Sequence, residues 1–213
     1  MPEDIDSFYR KYYQQTYAKY GASAKGVDWK DEDAQRISFD YLLRAINFCV
    51  DKDKNISILE LGCGYGAFFS YLKNNSLYPN YDYYGIDLVH DMIDKAKSAF
   101  PEIRDHFFTG NFRQHESGTR YDFIISSGVF NIRGDFSKVI YEKYVFDTIS
   151  SMYRRASIGI AFNLMTPTPT FKDDKLYYAD LNRLFAFMHS NLSRNFIIIS
   201  SYPLWKVTVG IYK

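Results

Sequence analysis

The first 50 residues of the chain carry apolar side chains at helical spacing. Four tyrosines between residues 9 and 20 follow one another at intervals of four and three, which places them on one face of a helix over about residues 3 to 20. A second apolar stripe predicts a helix over about residues 31 to 50. The chain is therefore expected to begin with two amphipathic helices.

After residue 50 the pattern changes to short apolar runs separated by helical segments. Seven runs predict strands, at about residues 56–61, 82–87, 104–109, 121–126, 156–163, 195–201 and 206–212. Alternating strands and helices predict an α/β fold, with a mostly parallel sheet and helices on both faces. Only a few residues around Pro203 join the last two strands, too few for a parallel crossover. These strands are therefore expected to form an antiparallel C-terminal hairpin.

The first predicted strand runs into a glycine-rich turn, ILELGCGYG over residues 58–66. Gly62, Gly64 and Gly66 let the backbone turn sharply and approach a ligand without a Cβ in the way. A helical pattern resumes at Ala67. The order of strand, glycine turn and helix is typical of a site for an adenosine-bearing cofactor.

Glu60 distinguishes between two classes of such cofactor. Gly62, Gly64 and Ala67 also satisfy the dinucleotide pattern G-x-G-x-x-G/A, which would indicate a nicotinamide oxidoreductase. A carboxylate two residues before the first glycine would repel a pyrophosphate bound at the helix N-terminus. The same carboxylate would attract the ammonium and sulfonium of S-adenosylmethionine, so Glu60 favours this cofactor.

Four motifs in register resemble those of the class I S-adenosylmethionine-dependent methyltransferases. The first motif of that family, E/D-x-G-x-G-x-G, is matched at Glu60, Gly62, Gly64 and Gly66. The others are YYGIDL over residues 83–88, FFTGNF over 107–112 and YDFIISSGVFN over 121–131. Because the motifs follow in the same order, the resemblance covers about residues 30 to 213 and implies a Rossmann-like fold.

The resemblance also implies which residues hold the cofactor. Asp87 ends the second strand, where an acid accepts hydrogen bonds from both ribose hydroxyls; capping the following helix is its alternative role. The family commonly has an acid after the third strand, near the adenine amino group, where this chain has Asn111. The predicted cofactor set is Glu60, Gly62, Cys63, Gly64, Gly66, Asp87, Leu88, Met92, Asn111, Phe112, Ser127 and Gly128.

Fewer signals point to the methyl acceptor. The fourth motif lacks the Pro-Pro that often follows in enzymes methylating adenine or glutamine nitrogens, which argues against that reaction. Arg133 is a candidate for a bidentate pair with a carboxylate or phosphate, with a loop salt bridge as its alternative. A general base would assist an alcohol acceptor, and His90 and His115 are the candidates for it. The predicted acceptor set is Tyr12, Tyr17, Trp29, Asn131, Arg133 and Tyr178.

Composition and charge fit one cytoplasmic domain over residues 1–213. The chain has 46% hydrophobic residues, enough for a sizeable core, and a net charge of only +1, which gives no field for nucleic acid. Two cysteines make no disulfide framework, the N-terminus has no signal-peptide pattern, and no apolar run is long enough for a membrane span. No cluster has metal-ligand spacing, so no metal is expected. A monomer and a homodimer are both compatible with the sequence.

The expected function is methyl transfer to a small polar acceptor. An oxygen acceptor is favoured over a nitrogen acceptor, and it would belong to a sugar, a carboxylate or another biosynthetic intermediate. Residues 1–30 are expected to form a helical lid of aromatic side chains that excludes water from the methyl group. Removing about 20 N-terminal residues is then expected to abolish transfer and to leave cofactor binding largely intact. A macromolecular N-methyltransferase acting on RNA or protein, and a non-catalytic S-adenosylmethionine-binding module, are the alternatives.

Overall fold

A seven-stranded sheet forms the centre of the molecule, with the strands ordered β3-β2-β1-β4-β5-β7-β6. The computed structural model describes residues 4–50, 54–75, 81–115, 119–170 and 172–213. Within them the strands are β1 Ile56–Leu61, β2 Tyr81–Asp87, β3 Phe107–Thr109, β4 Tyr121–Ser126, β5 Ala156–Met165, β6 Phe196–Ile199 and β7 Lys206–Tyr212. All pairings from β3 to β5 are parallel, whereas β7 runs antiparallel to both β5 and β6. The predicted sheet and its C-terminal hairpin are confirmed.

Helices cover both faces of the sheet, as predicted. They are α1 Ile5–Tyr20, α2 Glu32–Asn47, α3 Ala67–Asn74, α4 His90–Ala99, α5 Lys138–Arg155 and α6 Leu181–Asn191. One hydrophobic cluster joins α2, α3 and α4 to one face, and a second joins α1, α5 and α6 to the other. The core is therefore two layers of apolar side chains with the sheet between them.

Some predicted boundaries were wrong. The strand expected from residue 104 is shorter, because Pro101 opens a 3-10 helix, Pro101–His106, and leaves only three residues for β3. The second helix ends at Asn47, three residues before the predicted end. Residue 3 of the first predicted helix lies outside the described residues.

The order of strands positions the functional residues. Strands β1 and β4 are neighbours at the centre, while the chain leaves β1 towards β2 and leaves β4 towards β5. Such a reversal of direction opens a crevice at the carboxyl ends of the strands, where open α/β folds bind ligands. The glycine turn after β1 and the segment after β4 lie at this crevice.

Candidate functional site

An open cleft lies at the carboxyl ends of the central strands. It encloses about 1050 Å³ of space that no atom fills, part of it continuous with solvent. Open α/β folds bind cofactors and small molecules at this position, outside the carboxyl ends of the strands. All twelve predicted cofactor residues except Gly66 line the cleft.

The glycine turn forms the floor of the cleft. The backbone N–H groups of Gly62 and Cys63 donate to the Ile86 carbonyl at 2.8 and 3.2 Å, which fastens the turn to β2. Gly62 has a φ of 76°, and a Cβ there would lie 2.2 Å from Val129 Cγ2. Only glycine fits this position, because a side chain would be strained and would also collide. Gly66, at a φ of 84°, lies just before α3 and serves the turn without reaching the cleft.

Glu60 lies in the cleft wall at the end of β1, with 3% of its surface exposed. The Tyr83 hydroxyl donates a hydrogen bond of 2.5 Å to its Oε2 atom. Burial raises the pKa of Glu60 to about 8; the bond from Tyr83 opposes this shift and the nearby Asp87 adds to it. No basic side chain pairs with Glu60 among the described residues. The carboxyl group is therefore mostly protonated at neutral pH until a cation arrives.

Asp87 is held at the end of β2 by two backbone donors. Its Oδ2 accepts from Gly64 N and its Oδ1 accepts from Val89 N, both at 2.9 Å. Burial raises the pKa of Asp87, and these backbone bonds oppose the shift. The side chain thus supports the glycine turn and the start of α4 together. A carboxylate offers about four acceptor sites, so the side chain keeps capacity for a further donor in the cleft.

The cleft end next to β3 is apolar on its sides and polar at its tip. Leu88, Met92 and the buried ring of Phe112 form the apolar part. The Asn111 side chain donates from Nδ2 to Asp6 Oδ2 at 2.7 Å and accepts from Arg113 N at 2.9 Å. Asp6 comes from α1, so the first helix closes this end of the cleft.

The segment after β4 is held from behind by β5. Asn163 Oδ1 accepts from Gly128 N at 2.8 Å, and its Nδ2 donates to Ser127 Oγ at 3.4 Å. Asn131 lies nearby in the cleft wall. Its Oδ1 atom is buried and has no hydrogen-bond partner within the described chain. Since an unpaired buried acceptor is costly, this oxygen fits a donor supplied by a ligand.

The segment between α1 and α2 roofs the cleft. Its Val27 lies against Gly64, where a Cβ would be 3.1 Å from Val27 Cγ1. Its Trp29 lies against Gly128, where a Cβ would be 3.0 Å from Trp29 Cζ2. Asp28, between them, has a φ of 61° and accepts a hydrogen bond of 3.0 Å from the Tyr12 hydroxyl. Gly64 of the floor and Gly128 of the segment after β4 thus let the roof approach closely.

A buried lysine supports the roof from behind. Lys206, the first residue of β7, places its Nζ 3.6 Å from the centroid of the Trp29 ring. Burial lowers the pKa of Lys206 to about 7, and Asp28 nearby opposes this shift. The cation–π contact and the charge of Asp28 favour the protonated lysine. Trp29 is therefore fixed between β7 and the segment after β4.

The structure brings only part of the predicted acceptor set to the cleft. Trp29 and Asn131 line it. Tyr12 and Tyr17 lie on α1 outside the lining, and Tyr12 reaches the cleft only through its bond to Asp28. The Tyr178 hydroxyl accepts from Asp173 N in the loop before α6, also outside the lining.

Arg133 lies outside the cleft lining, and its guanidinium is occupied by backbone carbonyls of two segments. It donates to the backbone carbonyls of Phe136 and Asp174, and its N–H donates to the Lys175 carbonyl at 2.7 Å. These bonds join the segment after β4 to the segment before α6. The pair with a substrate carboxylate or phosphate is therefore not supported; hydrogen bonds to carbonyls, and not the salt bridge given as the alternative, hold Arg133.

Neither candidate histidine reaches the cleft. His90 is mostly exposed on α4, between Thr109 Oγ1 at 3.3 Å and Asp94 Oδ2 at 3.3 Å. His115 packs against Phe108, and burial and Arg155 lower the pKa of its ring. Neither is placed to take a proton from an acceptor.

Sequence reasoning missed several residues of the site. Asp6 and Asp28 line the cleft, while Tyr83 and Asn163 hold residues that do. An acid in the first turn of a helix has an ordinary explanation in the helix dipole, so Asp6 gives no signal of its own. Partners from distant strands, such as Asn163, become visible only when the sheet is assembled.

The described residues show neither a metal cluster nor a membrane-spanning helix. They contain no group of three or more His, Cys, Asp or Glu side chains able to hold a metal ion. Nor does any helix among them combine the length and apolarity that crossing a membrane requires.

The sequence is similar to those of known methyltransferases. The sequence model of a family described as a methyltransferase domain matches residues 32–198. A putative methyltransferase of Mycobacterium tuberculosis is 29% identical over 160 residues, 74% of this chain and 93% of that protein. A malonyl-acyl-carrier-protein O-methyltransferase of Ilyobacter polytropus is 30% identical over 84 residues, 39% of this chain and 32% of that protein.

Solved structures agree on the fold. The magnesium protoporphyrin IX methyltransferase of Synechocystis with bound S-adenosylmethionine covers 99% of this chain and 98% of its own, with a TM-score of 0.65 and 14% identity. The same enzyme with bound S-adenosylhomocysteine gives a TM-score of 0.67 at 13% identity, covering 99% and 100%. The cleft described above has the elements expected for such a cofactor: a glycine floor that a Cβ would fill and acids for its cations and hydroxyls.

Proposed function

The chain belongs to the methyltransferase-domain family and is a class I S-adenosylmethionine-dependent methyltransferase, and we propose that its acceptor is a hydroxyl group of a small polar molecule. We place the adenosine of the cofactor between Asp87 and the β3 end of the cleft, and the methionine part beside Glu60, Ser127 and Gly128. The glycine floor supports this placement, because it gives backbone access between the two acids.

The observation that carries the hydroxyl proposal is the unpaired oxygen of Asn131. Its buried Oδ1 needs a hydrogen-bond donor, and a hydroxyl supplies one where a carboxylate does not. Arg113 is the one Lys or Arg side chain among the described residues that line the cleft, and Asp6 pairs with it at 2.5 Å. A carboxylate acceptor would therefore find no free cation there, which favours an alcohol or sugar hydroxyl over an acid.

The roof supports a small acceptor. Tyr13 and Trp29 line the cleft from above, and Asp28 lies beside Trp29. A base of duplex nucleic acid or a folded protein would have to displace this roof, whereas a small molecule fits beneath it. The relative from Ilyobacter polytropus named as an O-methyltransferase agrees with an oxygen acceptor.

Different residues of the cleft orient the acceptor, exclude water and accept the proton during methyl transfer. Bound S-adenosylmethionine would supply a methyl group on a sulfonium, and S-adenosylhomocysteine would leave as the neutral thioether when the acceptor oxygen bonds to that methyl group. Asn131 orients the acceptor hydroxyl, and the aromatic roof excludes water, so that proximity lowers the barrier. Asp28 takes the hydroxyl proton, because burial raises the pKa of its carboxyl group and it faces the cleft.

Matched pairs of acceptors test the proposal. The purified chain is incubated with S-adenosylmethionine and with alcohols, sugars, and the carboxylic acids and amines of the same skeletons, and S-adenosylhomocysteine release is measured. We expect release with hydroxyl compounds. Turnover with acids or amines alone would refute the hydroxyl assignment.

Two variants separate acceptor binding from cofactor binding. Asn131→Ala and Asp28→Asn should raise KM or lower kcat for the acceptor while the Kd for S-adenosylhomocysteine stays unchanged. Asp33→Asn, an exposed carboxyl group on α2, is the control. If Asn131→Ala weakens S-adenosylhomocysteine instead, its oxygen serves the cofactor and the argument for a hydroxyl acceptor fails.

A further inference from the structure

Asp6 is the centre of a polar network at the β3 end of the cleft. Its side chain, 15% exposed, accepts from Asn111 Nδ2 at 2.7 Å and Arg113 Nη2 at 2.5 Å on Oδ2, and from the Tyr144 hydroxyl at 2.9 Å on Oδ1. A carboxylate offers about four acceptor sites, and these three bonds leave one of them on Oδ1. Asp6 also lines the cleft, so this site is open to a ligand.

The network lies next to the ribose acid. Gly110 N donates to the Asp87 carbonyl at 2.9 Å, and Asn111 is the next residue. A nucleoside whose ribose is held by Asp87 would therefore direct its base towards Asn111 and Asp6. The Asn111 amide already uses Nδ2 on Asp6 and Oδ1 on Arg113 N, which leaves Asp6 as the stronger free acceptor.

The charges of Asp6 and Arg113 favour one kind of purine base. Arg113 is paired with Asp6 and its guanidinium lies 4.7 Å from the centroid of the Tyr144 ring, so its charge is balanced within the network. The site left open on the Asp6 carboxylate is an acceptor. It matches the exocyclic amino group of adenine and opposes the oxo group of hypoxanthine.

We propose that Asp6, on the N-terminal helix, accepts a hydrogen bond from the adenine amino group and so couples base recognition to closure of the roof. The inference rests on the adenosine placement proposed above. Tyr9 and Tyr13 on the same helix line the cleft. Cofactor binding through Asp6 therefore fixes the helix that covers the acceptor.

This coupling changes one expectation drawn from the sequence. Residues 1–20 were expected to be dispensable for cofactor binding. If Asp6 reads the base, removing α1 weakens cofactor binding as well as transfer.

The test compares S-adenosylhomocysteine with its deaminated analogue, S-inosylhomocysteine, by calorimetry. Wild type should prefer the adenine compound by about 10-fold or more, the scale of a hydrogen bond to a charged group. In Asp6→Asn the preference should fall to within about threefold, because an amide can turn to donate to the oxo group. Asp4→Asn is the matched control: it removes one charge from the exposed N-cap of the same helix and keeps the cap.

Hydrogen exchange supplies a second readout. S-adenosylhomocysteine should slow exchange of the α1 amides in wild type and in Asp4→Asn, and much less in Asp6→Asn. An unchanged adenine preference in Asp6→Asn, or α1 exchange that does not respond to S-adenosylhomocysteine, would overturn the inference.

Asp87→Ala tests the adenosine placement separately from the role of Asp6. It should weaken both purine compounds to the same extent. If it leaves both affinities unchanged, the adenosine placement fails and the inference fails with it. If it weakens both while Asp6→Asn keeps the preference, the placement stands and only the role of Asp6 is refuted.

Discussion

Cofactor binding is predicted to expel a proton from Glu60. The carboxyl group is buried beside the Tyr83 hydroxyl, and its pKa in the free protein is about 8, against 4.5 for an unperturbed glutamate. At pH 7 about nine-tenths of the free protein therefore carries a proton on Glu60. A bound ammonium and sulfonium favour the charged form and lower the pKa of this carboxyl group.

The sign of the pH dependence follows from this difference. The free protein binds the proton and the complex does not, so raising the pH favours the complex. If the pKa in the complex falls to its ordinary range, affinity rises about tenfold per pH unit from pH 6 towards pH 8 and then levels off. At pH 7 binding would release about 0.9 proton for each cofactor bound.

Calorimetry of S-adenosylmethionine binding in buffers of different ionisation enthalpy measures the proton count directly. Glu60→Gln removes the titrating group, so it should release no proton and show a flat affinity over the same pH range. Tyr83→Phe removes the donor that lowers the pKa of Glu60, so the levelling-off should move to higher pH. Wild-type binding without proton release, at an affinity independent of pH, would refute the reasoning.

Three further changes test other parts of the cleft. Asp87→Ala should weaken S-adenosylhomocysteine by about 1–3 kcal/mol by calorimetry; a lower Tm with unchanged affinity would reduce Asp87 to a backbone cap. Gly62→Ala should lower the free energy of unfolding, measured in denaturant, by about 1–3 kcal/mol. Adding Val129→Ala to this variant should restore part of the loss; no recovery would show that the collision with Val129 is not the cause. The pKa of Lys206 is about 7 in the folded protein, against 10.5 for an unperturbed lysine. Between pH 7 and pH 10.5 the unfolded chain therefore binds more protons than the folded one, so stability should rise with pH over this range. Lys206→Met should flatten that rise in denaturant melts, and parallel curves for the two proteins would exclude Lys206 as its source.

The strands and the floor of the cleft could be predicted because their signals are local. Each apolar run is bounded by polar residues or glycine, and the glycines of the turn are needed for backbone geometry. At Gly62 this need is visible as a positive φ and a collision that a Cβ would cause. The third strand was predicted three residues too long because a 3-10 helix from Pro101 takes residues 104–106.

The acceptor side could not be predicted to the same degree because its contacts are distant in sequence. Arg133 has the chemistry of an anion-binding residue, but the carbonyl of Asp174, 41 positions away, occupies its guanidinium. For Glu60, sequence reasoning gave the correct position beside the glycines and treated the side chain as a fixed charge. Tyr83, on the neighbouring strand, and the burial of both residues make it a group that titrates.

The roof resting on Gly64 and Gly128 has a consequence for the order of events in turnover. In the placement proposed above, the cofactor contacts the floor and the acceptor lies above it, beneath Trp29, so a bound acceptor would cover the cofactor. The kinetics should then be ordered: the cofactor enters first, and its demethylated form departs last. Lifting of the N-terminal helix would set the pace of release, and kcat would fall as solvent viscosity rises.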